Sequence, residues 1–373
     1  MSTSNYCVQP LPLTLLVLNI SKAAAHRETA RFHFAYVDMR WMKAVLCIAI
    51  VACIFASSSH AALAPEHGLS GNVTFLSGMT SNSSNLNVKQ DSTQAAEALA
   101  SKGGDEVSVT AGLLGSLKYT FGDSLDKQLF MGTSREDIVT GSLAFELGYR
   151  QQLAGGTIVD VAVLPTLISG EVWDDPYAVE RSRDKTDLSG NVYRLQFTNI
   201  VGSKFDIDMA AGESNVDEER TGTKGLDLTQ QQRELLTRKR KYYYFKTAYR
   251  HVMPQQQAIL MPSVNVFASD AEGDALSFIS LGGEVSYARR INQHGFVLTA
   301  SAAWRDYEAE NPIFAQTRRD KDFGLFLAYE YANIWGYEDW SLMSFVGAQS
   351  NRSNIDFYQS EQYIISVGLD YKF

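Results

Sequence analysis

The chain has 373 residues, 33 Lys and Arg against 42 Asp and Glu, and a formal charge of −9. That acid excess makes nucleic acid a poor partner, because phosphate recognition rests on clustered basic side chains. The three cysteines, Cys7, Cys47 and Cys53, all precede residue 54, so the remainder can hold no disulfide, thiolate nucleophile or cysteine metal site.

Residues 1–38 carry nothing a fold needs; their apolar run, 11–20, is too short to cross a membrane as a helix. They read as an extension ahead of the true start at Met39 or Met42. Residues 39–61 have the grammar of a secretory signal peptide: Arg40 and Lys43 form a positive head, 44–56 is apolar, and Ser59 and Ala61 are the small residues before the cut. A rival reading takes Ile50-Val51-Ala52-Cys53 as a lipoprotein cleavage box, which would strand Ile54 and Phe55 on the mature side. Cutting after Ala61 leaves residues 62–373, with 28 basic and 40 acidic side chains, a balance of −12. No run of about 20 apolar residues follows Ala61, so a membrane fold would have to be a closed barrel, in which every backbone group finds a partner.

Apolar residues alternate with polar ones along segment after segment. Val107, Val109, Leu113, Leu117, Tyr119 and Phe121 alternate with Ser108, Thr110, Ser116, Lys118 and Thr120. Val139, Leu143, Phe145, Leu147 and Tyr149 follow the same rule. So do Tyr193, Leu195 and Phe197; Ile279, Leu281, Val285 and Tyr287; and Phe323, Leu325, Leu327, Tyr329 and Tyr331. Tyr363, Ile365, Val367, Leu369, Tyr371 and Phe373 repeat it in the last segment, and the aromatic pair Tyr371 and Phe373 resembles the signal that outer-membrane barrels present to their assembly machinery. Weaker matches lie near 69–79, 127–133, 157–168, 203–211, 242–251, 258–268, 295–305 and 341–349, and Pro262 weakens one of these. The expected fold is all-β: a transmembrane antiparallel β-barrel of about 14 strands, with 12–16 allowed.

Connections alternate in length. Gaps such as 80–106, 169–190, 212–241, 306–321 and 350–361 are long, whereas 122–126, 154–156, 202–203, 252–257 and 291–294 are short; 134–138 and 332–340 break the rule. Tight periplasmic turns and extended external loops explain the rest. Tyr119, Phe121, Tyr149, Tyr287, Phe296, Tyr331, Trp335, Trp340, Tyr371 and Phe373 cluster at the short-turn ends, and Tyr193, Tyr243, Trp304, Tyr307, Phe323 and Tyr363 at the others, as two interfacial girdles.

Gly132-Thr-Ser-Arg-Glu-Asp-Ile138, Ser169-Gly-Glu-Val-Trp-Asp-Asp-Pro176, Trp340-Ser-Leu-Met-Ser-Phe-Val-Gly347, Asn354-Ile-Asp-Phe-Tyr358 and the Tyr-Lys-Phe ending resemble a family of secreted Gram-negative proteins known only as a domain of unknown function. The resemblance spans roughly residues 65–373. It implies a porin-like barrel in the outer membrane and brings no activity and no site residues.

On this register Lys118, Glu146, Arg150, Asp160, Arg194, Asp206, Asp208, Lys246, Arg250, Glu284, Arg305 and Glu330 line the lumen, with Asp370 and Lys372. Their mixed signs fit either a watery channel or ion pairs across a filled interior; about fourteen strands favour the channel, narrowed by an infolded loop. Tyr242, Tyr244, Phe267, Phe278 and Phe326 also point inward, as a path for sugars or hydrophobic solutes or as packing for an inserted segment. Residues 228–236 are placed as a short helix running into Arg238, Lys239, Arg240 and Lys241, a cluster that either binds lipopolysaccharide phosphates or is a solvated strand start. Asp174-Asp175 and the acids from Asp270 to Asp274 lack the spacing of a calcium loop. His67, His251 and His294 fall near short-turn ends, and no nucleophile-elbow, zinc-helix or phosphate-loop motif occurs, so neither enzyme nor cofactor is expected. The function read from these residues is an outer-membrane channel for small solutes. A hydrophobic-solute transporter, a surface adhesin or structural barrel and an outer-membrane hydrolase are the alternatives. Lipid, lipopolysaccharide, the assembly machinery and small solutes are the partners implied.

Overall fold

The computed structural model describes residues 62–133, 145–165 and 170–373. The leader, 39–61, and positions 139–144 of the alternating pattern lie outside the described residues. Sixteen strand segments form one sheet. They are β1 (Gly68–Ser83), β2 (Asp105–Phe121), β3 (Lys127–Thr133), β4 (Phe145–Gln152), β5 (Ile158–Pro165), β6 (Gly170–Trp173), β7 (Lys185–Thr198) and β8 (Phe205–Val216). β9 (Arg240–Tyr249), β10 (His251–Met253), β11 (Ala258–Ala271), β12 (Phe278–Ile291), β13 (His294–Asn311), β14 (Gln316–Ala332), β15 (Trp340–Ser353) and β16 (Ser360–Lys372) complete it.

β5 and β6 both pair with β7, and β9 and β10 both pair with β11, so each couple counts as one stave and the staves number fourteen. The last stave returns to the first: β16 pairs antiparallel with β1 from Asn72↔Lys372 to Ser83↔Glu361. A closed ring leaves no unpaired edge, which is what lipid requires. The break between β9 and β10 has a local cause. Pro262 on β11 has no N–H to give; pairing with β9 stops at Ser263 and pairing with β10 starts at Leu260. On the other side of the strand the ladder runs on through the gap: Arg250 donates its backbone N–H to the Lys204 carbonyl at 2.8 Å.

Period two sorts the side chains. Phe75, Val109, Leu113, Leu147, Val264, Leu281, Leu298, Leu325, Val346, Ile365 and Val367 stand exposed on the outer face, while Asn72, Thr74, Gln128, Asp160, Ser263, Ser286, Thr299 and Asp370, of opposite parity, are buried inside. A band of bare aliphatic side chains around a closed barrel is covered by hydrocarbon, and the barrel belongs to the outer membrane. At the short-turn end rings meet in pairs: Tyr119 with Phe121 at 6.2 Å between centroids, Phe205 with Tyr249 at 5.1 Å, Phe296 with Tyr329 at 5.1 Å and Trp340 with Tyr371 at 4.9 Å. Asn199, Asn292 and Asn333 supply left-handed backbone in three of these turns.

Two expectations need correction. Tyr307 is no girdle residue: it stands three positions from outward Trp304, an odd spacing that turns it inside, where it is buried against Phe278 at 5.1 Å. The connection expected over 306–321 is a long hairpin, with only residues 312–315 outside β13 and β14. Above the hydrocarbon no apolar outer face is needed, so the ladder continues through polar residues and hydrophobic periodicity cannot mark it.

One glycine on the inner wall is needed for shape. A Cβ at Gly347 would lie 2.8 Å from the Phe326 ring and 2.9 Å from the Ile364 side chain. The ring crosses the strand where a side chain is missing, a recurrent way of packing aromatics on sheets. Gly347→Val is expected to cost about 1–3 kcal/mol by overpacking, seen as a lower urea midpoint for loss of the folded gel band.

Candidate functional site: a capped lumen

The lumen charges pair with neighbours along the wall. Arg150 on β4 faces Asp160 on β5 directly and grips it twice, Nε to Oδ1 at 2.7 Å and Nη2 to Oδ2 at 2.5 Å. Arg194 on β7 reaches Asp208 on β8 at 2.7 Å and Glu146 on β4 at 3.4 Å. Arg250 donates to Asp206 at 2.7 Å, and Lys246 reaches past β11 to Glu284 on β12 at 2.9 Å. Arg305 holds Asp322 at 2.7 Å and Asp320 at 3.4 Å; Lys372 holds Glu330 at 2.8 Å, with Arg290 at 3.3 Å from the same carboxylate. Lys118 lies half-buried on β2, its residue opposite Phe130 of β3. Cross-strand pairs, of which Arg150–Asp160 and Arg194–Asp208 are bidentate, neutralise the wall without bridging the lumen.

Aromatic rings form a second line up the same wall. Tyr242 stacks on Phe267 at 5.7 Å, Phe267 meets Phe278 at 5.5 Å, and Phe278 meets Tyr307. The guanidinium of Arg305 lies 4.9 Å from the Phe278 centroid, and that of Arg318 lies 4.6 Å from Tyr307 and 3.7 Å from Tyr358. Below this stack, between β9 and β16, is a cavity of about 640 Å³ bordered by Tyr244, Phe267, Glu284, Arg305, Asp322 and Phe326.

Above it the long loops share one apolar core. Tyr177, Leu236, Ala275, Ile355, Phe357 and Tyr358 are buried together, with Leu99, Leu226, Leu228, Ile313 and Phe314 against them. These residues come from six connections spaced around the ring: β1–β2, β6–β7, β8–β9, β11–β12, β13–β14 and β15–β16. Loops rooted on opposite sides can share a core only by crossing the mouth, so together they make a cap. The Tyr177 and Tyr358 hydroxyls are 2.5 Å apart, and Asn311 donates to Tyr358 at 2.8 Å. Helix α1 (Gln230–Glu234) is the expected short helix, started by a capping box in which Thr229 and Gln232 exchange hydrogen bonds.

Polar clasps hold the loops to each other. The Asp175 carboxylate accepts backbone N–H groups from Tyr177, Gly222, Thr223 and Lys224, at 3.1 Å for the first and 2.9 Å for the rest. Asp174 takes the Lys224 ammonium at 2.7 Å. Their oxygens serve the chain's own donors, and among the described residues no cluster of acids or histidines with metal-binding geometry is present. Burial raises the Asp174 carboxyl, but Lys224 and the N–H groups of Asp184 and Asp175 outweigh it, leaving its pKa below the ordinary value. Such a group stabilises the fold above the unfolded pKa, and that contribution is lost as pH falls through the lowered folded value. For Asp175, burial prevails over its hydrogen bonds and raises the pKa, which by the same linkage favours the folded loop as pH falls. Asp174→Asn is therefore expected to remove the acid-side loosening of residues 217–224 and to leave them looser at neutral pH, as read by amide hydrogen exchange across pH.

Of the basic cluster, Arg238 is turned into the loops: it donates to the carbonyls of Trp173 and Asp174 at 2.6 and 2.8 Å and to Glu219. Arg240 donates to the Arg238 carbonyl at 2.9 Å and Lys241 is half-buried; Lys239 is exposed and pairs with Glu272 at 2.7 Å. His67 and His251 are exposed, and His294 joins the short-turn girdle, its Nδ1 2.9 Å from the Tyr329 hydroxyl. Tyr371 and Phe373 sit at that same end, where Gly71 and Phe373 exchange backbone hydrogen bonds at 2.8 and 3.1 Å.

The family described as "Protein of unknown function (DUF2860)" matches residues 68–372. The chain belongs to that family. The DUF2860 match starts with the first residue of β1 and ends with the last of β16, so the family unit is the barrel itself. Among solved structures this DUF2860 barrel is similar to a loop-deletion mutant of OmpT, an outer membrane protein of Vibrio cholerae, at 11% identity over 81% of this chain and 99% of that one, TM-score 0.37. It is similar to an anion-selective porin from Comamonas acidovorans (8%, 83% and 100%, TM-score 0.38). The outer membrane channel DcaP of Acinetobacter baumannii gives 9%, 84% and 100%, TM-score 0.37. No curated protein matches the sequence.

Residues that the sequence left unassigned complete the site: Arg318, Asp320 and Asp322 on β14, Arg290 on β12, and the cap rings Tyr177, Phe357 and Tyr358. The signal for the cap rings was present in apolar and aromatic residues inside long connections, where solvated loops have no use for them.

Proposed function

We propose that this barrel is an outer-membrane channel for small solutes, whose outer mouth is narrowed by the folded cap. The observation that carries the reading is the wall pairing: acids and bases satisfy each other between staves that are adjacent or one apart and leave a cavity of about 640 Å³, instead of bridging the lumen and filling it. Selection by size falls to the cap, and selection by charge to the paired wall, whose near-neutrality gives little preference between cation and anion. Exposed Lys239 is the residue of the basic cluster best placed to meet lipopolysaccharide, and Tyr371 and Phe373 are read as the mark taken up by the assembly machinery. No enzymatic role is assigned.

Mature protein added to a planar bilayer is expected to give discrete conductance steps with a reversal potential near zero in a salt gradient. A bilayer that stays sealed, with the protein folded and inserted, contradicts the channel reading. The stack from Tyr242 to Phe278 favours a second reading, a path for hydrophobic solutes, which predicts protein-dependent entry of a fluorescent fatty acid into liposomes with no conductance.

A further inference from the structure

We infer that the chamber beneath the cap binds a neutral, ring-shaped polyol of mono- or disaccharide size; the inference rests on the channel reading only for how the solute arrives. Its aromatic side is made by Tyr244, Phe267 and Phe326, all half-buried and bordering the cavity. Their relative placement is fixed by packing: Tyr244 meets Phe267 at 6.5 Å, and Phe326 lies stacked on Phe345 at 5.9 Å, over Gly347. Flat rings held in this way offer faces to the C–H side of a pyranose, at little cost in side-chain entropy.

The rest of the wall is polar in a particular manner. Glu284 is neutralised by Lys246 at 2.9 Å, and Arg305 by Asp322 at 2.7 Å. The amides Asn265, Gln349 and Gln362 border the same space, each with both a donor and an acceptor group. A charged solute would enter with no opposite charge to meet, because the wall's charges are already spent on each other, and it would lose hydration without replacement. A hydrocarbon would leave the carboxylates and amides facing an apolar surface. Hydroxyl groups fit both, since each gives a hydrogen to a carboxylate or amide oxygen and accepts one from a guanidinium or amide. The volume agrees: about 640 Å³ falls in the ordinary range of small-molecule sites, about 300–1,000 Å³.

The test is isothermal titration calorimetry on the detergent-solubilised mature chain, with maltose and sucrose as neutral probes, gluconate as an anion and choline as a cation. Binding is then read without conduction. Expected are millimolar affinities for at least one disaccharide, at least about tenfold weaker binding of both ions, and a loss of roughly tenfold in Phe267→Ala, with Phe267→Leu as a milder variant should the first misfold. Val264→Ala, on the outer face of the same strand, should change nothing. No heat from either disaccharide up to about 100 mM, equal binding of gluconate or choline, or indifference to both Phe267 variants would overturn the assignment. Sugar binding together with a sealed bilayer would defeat the channel reading and leave the site standing; conduction without sugar binding would defeat the site alone.

Discussion

Phe357→Ala is expected to open the mouth of the barrel. Phe357 is fully buried, with ring centroids of Tyr358, Tyr177 and Phe314 at 5.2, 5.3 and 5.5 Å, and those rings come from three different loops. Truncating a buried Phe costs about 3–5 kcal/mol through lost burial and the cavity left behind. The cost falls on the cap, because the staves are held by their own backbone ladders and by lipid. Single-channel conductance should therefore rise several-fold and the loops should become open to proteolytic nicking, while the heat-modifiable gel mobility of the barrel is kept. Unchanged conductance with nicked loops would mean that the cap is not the constriction.

Arg194→Ala should have the largest effect on the lumen itself. The guanidinium serves two carboxylates, Asp208 and Glu146, and side-chain exposure is 13% for Arg194 and 6% for Glu146. Removing one partner of a buried pair costs about 3–5 kcal/mol, since a charge is left without compensation. Two acids would remain on the inner wall of a formerly balanced stretch. The expected results are a lower urea midpoint and a reversal potential displaced toward cation selectivity. Arg194→Lys keeps the charge and loses the two-pronged grip, so selectivity should recover further than stability. The exposed pair Lys185–Glu171, at 3.0 Å, is the control: Lys185→Ala should cost less than about 1 kcal/mol and leave selectivity alone.

What the sequence revealed and what it hid follow from where lipid is. Inside the hydrocarbon the outer face must be apolar at every second residue, so Leu325, Leu327, Ile365 and Val367 announce both strand and register. The inward parity of Arg150, Asp160, Arg194 and Glu284 follows without further information, because one register fixes a whole stave. Above the hydrocarbon that constraint ends. The upper parts of β13 and β14 carry Asp306, Arg318, Arg319 and Asp320; Arg319 meets Asp306 across the hairpin and Arg318 meets Asp320 along β14, but they leave no apolar rhythm to read. Partner choice was hidden for a related reason: that Lys246 reaches Glu284 across an intervening stave depends on strand order and stagger, which periodicity within one strand does not contain. The cap was the greatest omission. Tyr177, Phe314, Phe357 and Tyr358 stand in connections far apart in sequence, and only ring closure brings them over a common mouth.

Hydrocarbon covers one parity of each stave. Residues 62–373 contain no cysteine, so single cysteines can be placed at 325, 326, 327 and 328 of β14 in that segment and labelled with a nitroxide after reconstitution into lipid. Relaxation by oxygen, which partitions into hydrocarbon, should be strong at 325 and 327 and weak at 326 and 328, with a water-soluble nickel complex showing no access to the first two. Labels at 325 and 327 that relax with the nickel complex as water-exposed residues do would contradict the barrel's placement in the membrane.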